Sequence, residues 1–243
     1  MVTYMRTVWA AGILSLGALC LAPASTPTPG QQAAAVYRKM PVPWFDPLQG
    51  TPETEDERNQ RVSQVAKAID EEIVALNRDT RFLPKTGWRR REFVAIAANL
   101  AYEESSLAWE AHAGEPWPGR PAPKGDHGRA TCLFQLQRSA ASVPDPKFRP
   151  FELSEHKALT GVDEDATQRC VRAGVKALAW QAWRCRRQLK QHIETGDKQY
   201  AVAVIYGEYH MPSQFCIHLT SQSIKRAFDW RQFMDRMSLV RAE

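Results

Sequence analysis

A carboxylate set into an apolar helical stripe is the most chemically suggestive feature of the chain. In the stretch Phe93 to Leu107, advancing about 100° per residue puts Ala97 about 40° from Phe93, Leu100 about 20° on its other side and Glu104 about 20° away, while Glu103 lies about 80° off at the edge of the arc. An unpaired buried charge is costly, so a carboxyl group aimed at a core tends to keep its proton. A protonated carboxyl group is what general acid catalysis needs. Three further groups follow Glu104 in order. Gly125-Asp126-His127-Gly128 lies in a loop, Leu133-Phe134-Gln135-Leu136 follows it, and an apolar helical pattern ends at Tyr206-Gly207.

Other chemistries are absent from the sequence. It has no HExxH, no paired CxxC, no phosphate-binding glycine loop and no GxSxG. The six histidines show no metal-ligand spacing, so no metal site and no cofactor is expected. The formal charge of +5 is spread along the chain. Its denser runs, Arg89 to Arg91 and Arg184 to Arg187 around Cys185, fall inside helical patterns and read as solvated faces rather than a nucleic-acid surface.

The elements that must position these residues are helical. Thr54 and Glu57 form a capping box ahead of Val62, Val65, Ile69, Ile73 and Leu76, a clear period of a core helix. The Phe93 helix fades after Trp109, and Gly114 to Gly128, with four prolines and four glycines, must be an exposed loop. Cys132 to Leu136 is either strand-like or the start of a helix. A long helix reads over Ala166 to Glu194, a compact one over Gln199 to Tyr209, and a last one over Ser221 to Met237. That last helix is expected to be capped by Ser221, with Ile224, Ala227, Phe228 and Phe233 or Met234 inward. The fold class is therefore mostly α, with at most a small β element near the proline-rich loop.

The N-terminus reads as an export signal. Arg6, the apolar run Val8 to Leu21 and Ala22-Pro23-Ala24 predict a signal peptide over residues 1–24, too short for a comfortable membrane span. An uncleaved N-terminal anchor ranks second. Residues 25–52, rich in Pro, Thr, Gln and Ala, read as a linker or loosely packed arm on which Trp44 and Phe45 could dock, and residues 53–243 as the folded domain. Export leaves Cys132, Cys170, Cys185 and Cys216, an even count that argues for two disulfides in a periplasmic or extracellular protein. Along one helix Cys170 and Cys185 would be about 22 Å apart at about 1.5 Å per residue, out of disulfide reach. Cys132 therefore pairs with Cys170 or with Cys185, and Cys216 takes the remaining partner.

At Glu104-Ser105, Cys132-Leu133-Phe134-Gln135 and Tyr206-Gly207 the chain resembles the lysozyme-like superfamily, specifically bacterial soluble lytic transglycosylases and goose-type lysozymes. The goose-type pattern G-D-x-G-x-x-x-G-L-M-Q is similar to Gly125 through Gln135. The transglycosylase pattern N-I-x-A-G is similar to Cys170 through Gly174, and A-x-A-A-Y-N-A-G to Ala201 through Gly207. The chain departs at Cys132 for glycine, Cys170 and Gly207 for asparagine, and Gln137 for aspartate.

The resemblance implies a lysozyme-like helical domain acting on the glycan strands of peptidoglycan. Glu104 would be the single acid and base, with Ser105, Gln135 and Tyr206 as orienting or substrate-binding residues. Partial burial would raise the Glu104 pKa enough to keep it protonated at neutral pH. A second carboxylate at Asp126 would make the enzyme a hydrolytic muramidase instead. A third possibility is a non-catalytic envelope protein that binds peptidoglycan through the same fold.

Overall fold

The computed structural model describes residues 26–40, 53–114, 130–212 and 216–240. The expected signal peptide, Trp44, Phe45, Asp126 and the proline-rich loop from 115 to 129 lie outside the described residues. In the described residues the fold is mostly α, with one two-stranded antiparallel pairing, β1 (Ala130–Thr131) with β2 (Leu136–Gln137).

The helix that carries Glu104, α4 (Arg90–Ser105), is the centre of the molecule. Every residue from Phe93 to Ala101 is buried, so the apolar stripe read from the sequence is in fact the whole circumference of the helix. It is packed by α1 (Pro29–Lys39), α2 (Glu55–Thr80), α6 (Glu164–Arg184) and α9 (Ser221–Leu239). The one polar residue inside it, Asn99, is satisfied by bonding with its side-chain amide to the Tyr206 hydroxyl (3.4 Å) and the Arg226 carbonyl (3.2 Å).

The segment expected to be a linker or loose arm contains α1, a packed helix. Thr28 and Gln31 close a capping box at its start, and Ala33, Ala34, Val36 and Tyr37 are buried. Tyr37 donates to the Ala98 carbonyl of α4 at 2.7 Å, and the Gly30 amide donates to Asp70 of α2 at 2.9 Å. Alanine buries a helix face closely without adding bulk, which is why this helix leaves little periodic signal in the sequence.

The capping box at Thr54 and Glu57 forms as read. The long helix expected over Ala166 to Glu194 is instead broken at Cys185 into α6 and α7 (Arg186–Glu194). Cys185 leaves helical geometry where it is tied by a disulfide to Cys216, and Cys132 is bonded to Cys170. The structure thus selects one of the two pairings that the sequence left open. Phe82–Thr86 (α3) turns the chain between α2 and α4, and Trp109–Ala113 (α5) follows the end of α4. Two 3₁₀ segments, Arg138–Ser142 and Leu153–Leu159, bridge β2 to α6.

Helix α8 (Lys198–His210) matches the expected compact helix, but α9 is rotated from its expected face. Its cap is Thr220, whose hydroxyl accepts from the Ser223 amide while the Thr220 amide donates to the Ser223 hydroxyl, each at 2.9 Å. Ala227, Trp230, Phe233 and Met237 face the core, whereas Ile224 and Phe228 are each 53% exposed. The inward stripe also includes Arg226. Helix α9 gives up two apolar contacts to aim that guanidinium at Glu104.

Candidate active site

The end of α4 is held in place by three independent bonds. Ser106 and Leu107 both adopt left-handed backbone conformations, at φ 50° and 52°, which turn the chain sharply away from the helix. The Ser105 hydroxyl donates to the Ala101 carbonyl at 2.7 Å and accepts from the Leu107 amide at 3.1 Å. Arg61 of α2 donates to the Leu107 carbonyl at 3.0 Å and is itself paired with Glu53. A helix end without partners leaves its carbonyls exposed; here the corner is fixed, and Glu104 with it.

The Glu104 side chain is only 8% exposed. Its Oε1 lies 2.6 Å from Nη1 of Arg226 and 3.0 Å from Nε2 of His210. Neither contact is an aligned hydrogen bond; the first is a close ion pair. Arg226 and His210 are also in direct contact, so the three groups form a triangle contributed by α4, α8 and α9. The Arg226 side chain is buried, and its backbone carbonyl is bonded to Asn99. The sequence places Glu104 in an apolar helical stripe and predicts its partial burial. The structure places apolar core on one side of it and a guanidinium on the other.

Glu103 points away from this triangle, toward Lys225 at 4.0 Å. Burial pushes its carboxyl group above the ordinary range, opposed by Lys225 and reinforced by Asp229.

The expected helpers are placed differently from one another. Ser105 is committed to the helix end and makes no contact with the cleft. Tyr206 is fully buried, donating to the Ile96 carbonyl at 2.9 Å, and burial drives its phenol far up. It docks α8 on α4. Gln135 is at the cleft, in a tight turn between β1 and β2, where its amide and its side chain both donate to the Cys132 carbonyl at 3.0 Å. The phenylalanine of that turn, Phe134, seats on Gly174 of α6; a Cβ there would lie 2.2 Å from the ring.

Beside the triangle runs a cleft of about 450 Å³, bounded by the hairpin, the Arg138–Ser142 turn, α6 and the end of α8. Gln135, Trp180, Gln181, Arg184, Tyr209 and His210 line it. Amides, a guanidinium and aromatic faces suit a carbohydrate, whose hydroxyls need bonding partners and whose ring faces pack on aromatics. Tyr209 donates to the Phe134 carbonyl at 2.7 Å, and its phenol is pushed up by burial and then by the Glu104 charge.

Sequence reasoning missed Tyr209, His210 and Arg226. The available signal for the first two was a polar pair closing an apolar helix one turn after Tyr206. Arg226 gave none, because a lone arginine on an amphipathic helix reads as solvated. Among the described residues no cluster of His, Cys, Asp and Glu could hold a metal ion. Comparison with known protein families, with characterised proteins and with solved structures finds no match.

Proposed function

We propose that the chain is an exported lytic transglycosylase of lysozyme-like fold that cleaves the N-acetylmuramic acid to N-acetylglucosamine bond of peptidoglycan, with Glu104 as acid and base. The observation that carries this reading is a nearly buried carboxylate at the fixed end of the core helix, one side chain from a polar and aromatic cleft. In the first step Glu104 protonates the glycosidic oxygen and the C–O bond breaks. In the second the same carboxylate takes the proton of the muramyl C6 hydroxyl as that oxygen closes on C1. Glycosidases of the two-carboxylate kind need a second group to handle water; ring closure needs none. For Glu104 to carry the proton, its contact with Arg226 must part as the glycan enters.

Export is supported by two disulfides, which persist in oxidising compartments. No helix among the described residues is long and apolar enough to cross a membrane.

The test is digestion of purified sacculi by the oxidised protein and by Glu104→Gln. Release of muropeptides with anhydro ends by the first alone supports the proposal. Reducing ends would instead indicate hydrolysis, the outcome expected if Asp126 acts as a second carboxylate. One observation favours a non-catalytic reading: the Glu104–Arg226 pair leaves the carboxylate matched without any ligand. Sacculus binding that survives Glu104→Gln, with no product from either protein, would establish a glycan-binding envelope protein instead.

A further inference from the structure

One wall of the cleft holds a buried amide whose orientation is fixed from behind. Gln181 of α6 is only 6% exposed, yet it lines the cleft. Its side-chain oxygen accepts from Nε of Arg184 at 3.1 Å and from Nη2 of the same guanidinium at 2.9 Å. A guanidinium has donors and no acceptor, so the atom that faces it must be the amide oxygen. The amide nitrogen is thereby turned the other way. It donates to none of the described residues, and it is not sealed from the cleft.

Arg184 is held in its turn. Its Nη2 also donates to Glu208 of α8 at 2.5 Å, and the second oxygen of that fully buried carboxylate accepts the His218 amide at 3.0 Å. The charges of Arg184 and Glu208 match each other within the molecule. What this network presents to the cleft through Gln181 is therefore a neutral N–H donor, held in one direction and suited to a neutral acceptor.

We propose that Gln181 is a specificity-determining residue of the cleft, whose fixed N–H reads the carbonyl oxygen of an acetamido group, with Arg184 and Glu208 as its positioning residues. This rests on the glycan-cleaving reading of the same cleft. Apolar side chains complete the fit. Ala177 stands one turn before Gln181 on the same face of α6, and Ala140 and Val143 come from the segment after β2. An acetamido group carries a carbonyl and a methyl on one carbon, so it needs a donor and a small apolar surface side by side. A sugar with a hydroxyl at that position is too short to reach the donor and leaves it without a partner. That is how a site built around a hydrogen bond rejects an analogue lacking the group.

Calorimetric binding of the oxidised full chain to a β-1,4 tetramer of N-acetylglucosamine and to cellotetraose tests this without turnover, because the two differ only in acetamido against hydroxyl groups. The unmodified protein should bind the first about 10-fold or more tightly than the second. Gln181→Glu keeps an oxygen for Arg184 and replaces the N–H with a second acceptor. It should lower affinity for the N-acetylated tetramer about 10–100-fold and leave cellotetraose binding unchanged. Gln181→Met, of similar length and without charge, should erase the preference as well. Arg184→Lys keeps the charge beside Glu208 but loses the fork that holds the amide, and should weaken the preference about threefold to tenfold.

Equal affinity of the unmodified protein for the two tetramers overturns the proposal, as does an unchanged preference in Gln181→Glu or Gln181→Met that retains a cooperative melt. Gln181-dependent binding of a stem peptide alone also overturns it, by moving the carbonyl from sugar to peptide. Cleavage of sacculi with KM and kcat untouched by Gln181→Met would overturn this inference and leave the glycan-cleaving reading. A Gln181-dependent preference for the N-acetylated tetramer with no release from sacculi would support the inference and overturn that reading.

Discussion

Arg226 is where the residue scale is most informative. Removing one partner of a buried ion pair leaves the other charge without compensation, which costs about 3–5 kcal/mol. Arg226→Gln should therefore lower stability by about that amount, read from the urea midpoint at pH 7. Glu104→Gln with Arg226→Gln should recover most of the loss, because two neutral amides can face each other. Additive losses in the double variant would show that the two side chains are not energetically paired. Glu104 was legible in the sequence because a helical period fixes angles over a few turns. Its partners were not. Arg226 and His210 stand more than a hundred residues later, and only the packing of α8 and α9 on α4 brings them within 3.0 Å of the carboxylate.

Two glycines govern how elements approach the site. At Gly174 a Cβ would lie 2.2 Å from the Phe134 ring, and at Gly207 it would lie 2.0 Å from the His218 carbonyl oxygen. The first neighbour is a side chain and the second is backbone, and this predicts different consequences. Gly174→Ala should cost about 1–3 kcal/mol as an overpacked contact, and Phe134→Leu in the same chain should relieve part of it. Gly207→Ala should not be relieved by any side-chain change nearby. It displaces the segment whose His218 amide donates to Glu208 at 3.0 Å, and with it the Cys216 anchor, so thermal melts should show the larger loss for Gly207→Ala. Both glycines fall in motifs noticed in the sequence, and the structure supplies their physical reason as close approach. Other elements were less legible. Each strand of the hairpin is two residues long, too short to show alternation, and its turn depends on left-handed Cys132 and Gln135, residue types that do not announce that conformation. The face of α9 was misjudged because apolar count alone cannot show that a buried charge claims an inward position.

At the scale of the whole molecule, the disulfides and the buried polar network determine when the fold survives. The two disulfides, of sequence separation 38 and 31, are each worth about 4 kcal/mol in the chain-entropy account, so a reductant should lower Tm sharply at neutral pH. Acid should act through a different residue. His112 is fully buried, its Nε2 at 2.9 Å from the Thr167 hydroxyl and its Nδ1 at 3.4 Å from Arg61. Arg61 can only donate, so Nδ1 accepts and the ring is neutral. Burial, and then the Arg61 charge, pushes its pKa down to about 3. In the unfolded chain the same ring takes a proton near pH 6.5. Between those values the unfolded state binds the extra proton, so stability falls as pH is lowered from about 6.5 to about 3, at up to about 1.4 kcal/mol per unit. Above pH 6.5 this contribution is fully present. His112→Gln cannot take that proton and should flatten this part of the curve of unfolding free energy against pH, although it starts lower at pH 7. Parallel curves for the two proteins would assign the acid sensitivity to the carboxylates instead. Because Arg61 also holds the Leu107 carbonyl, acid that charges His112 should loosen the corner after α4, and the Glu104 site should fail with it.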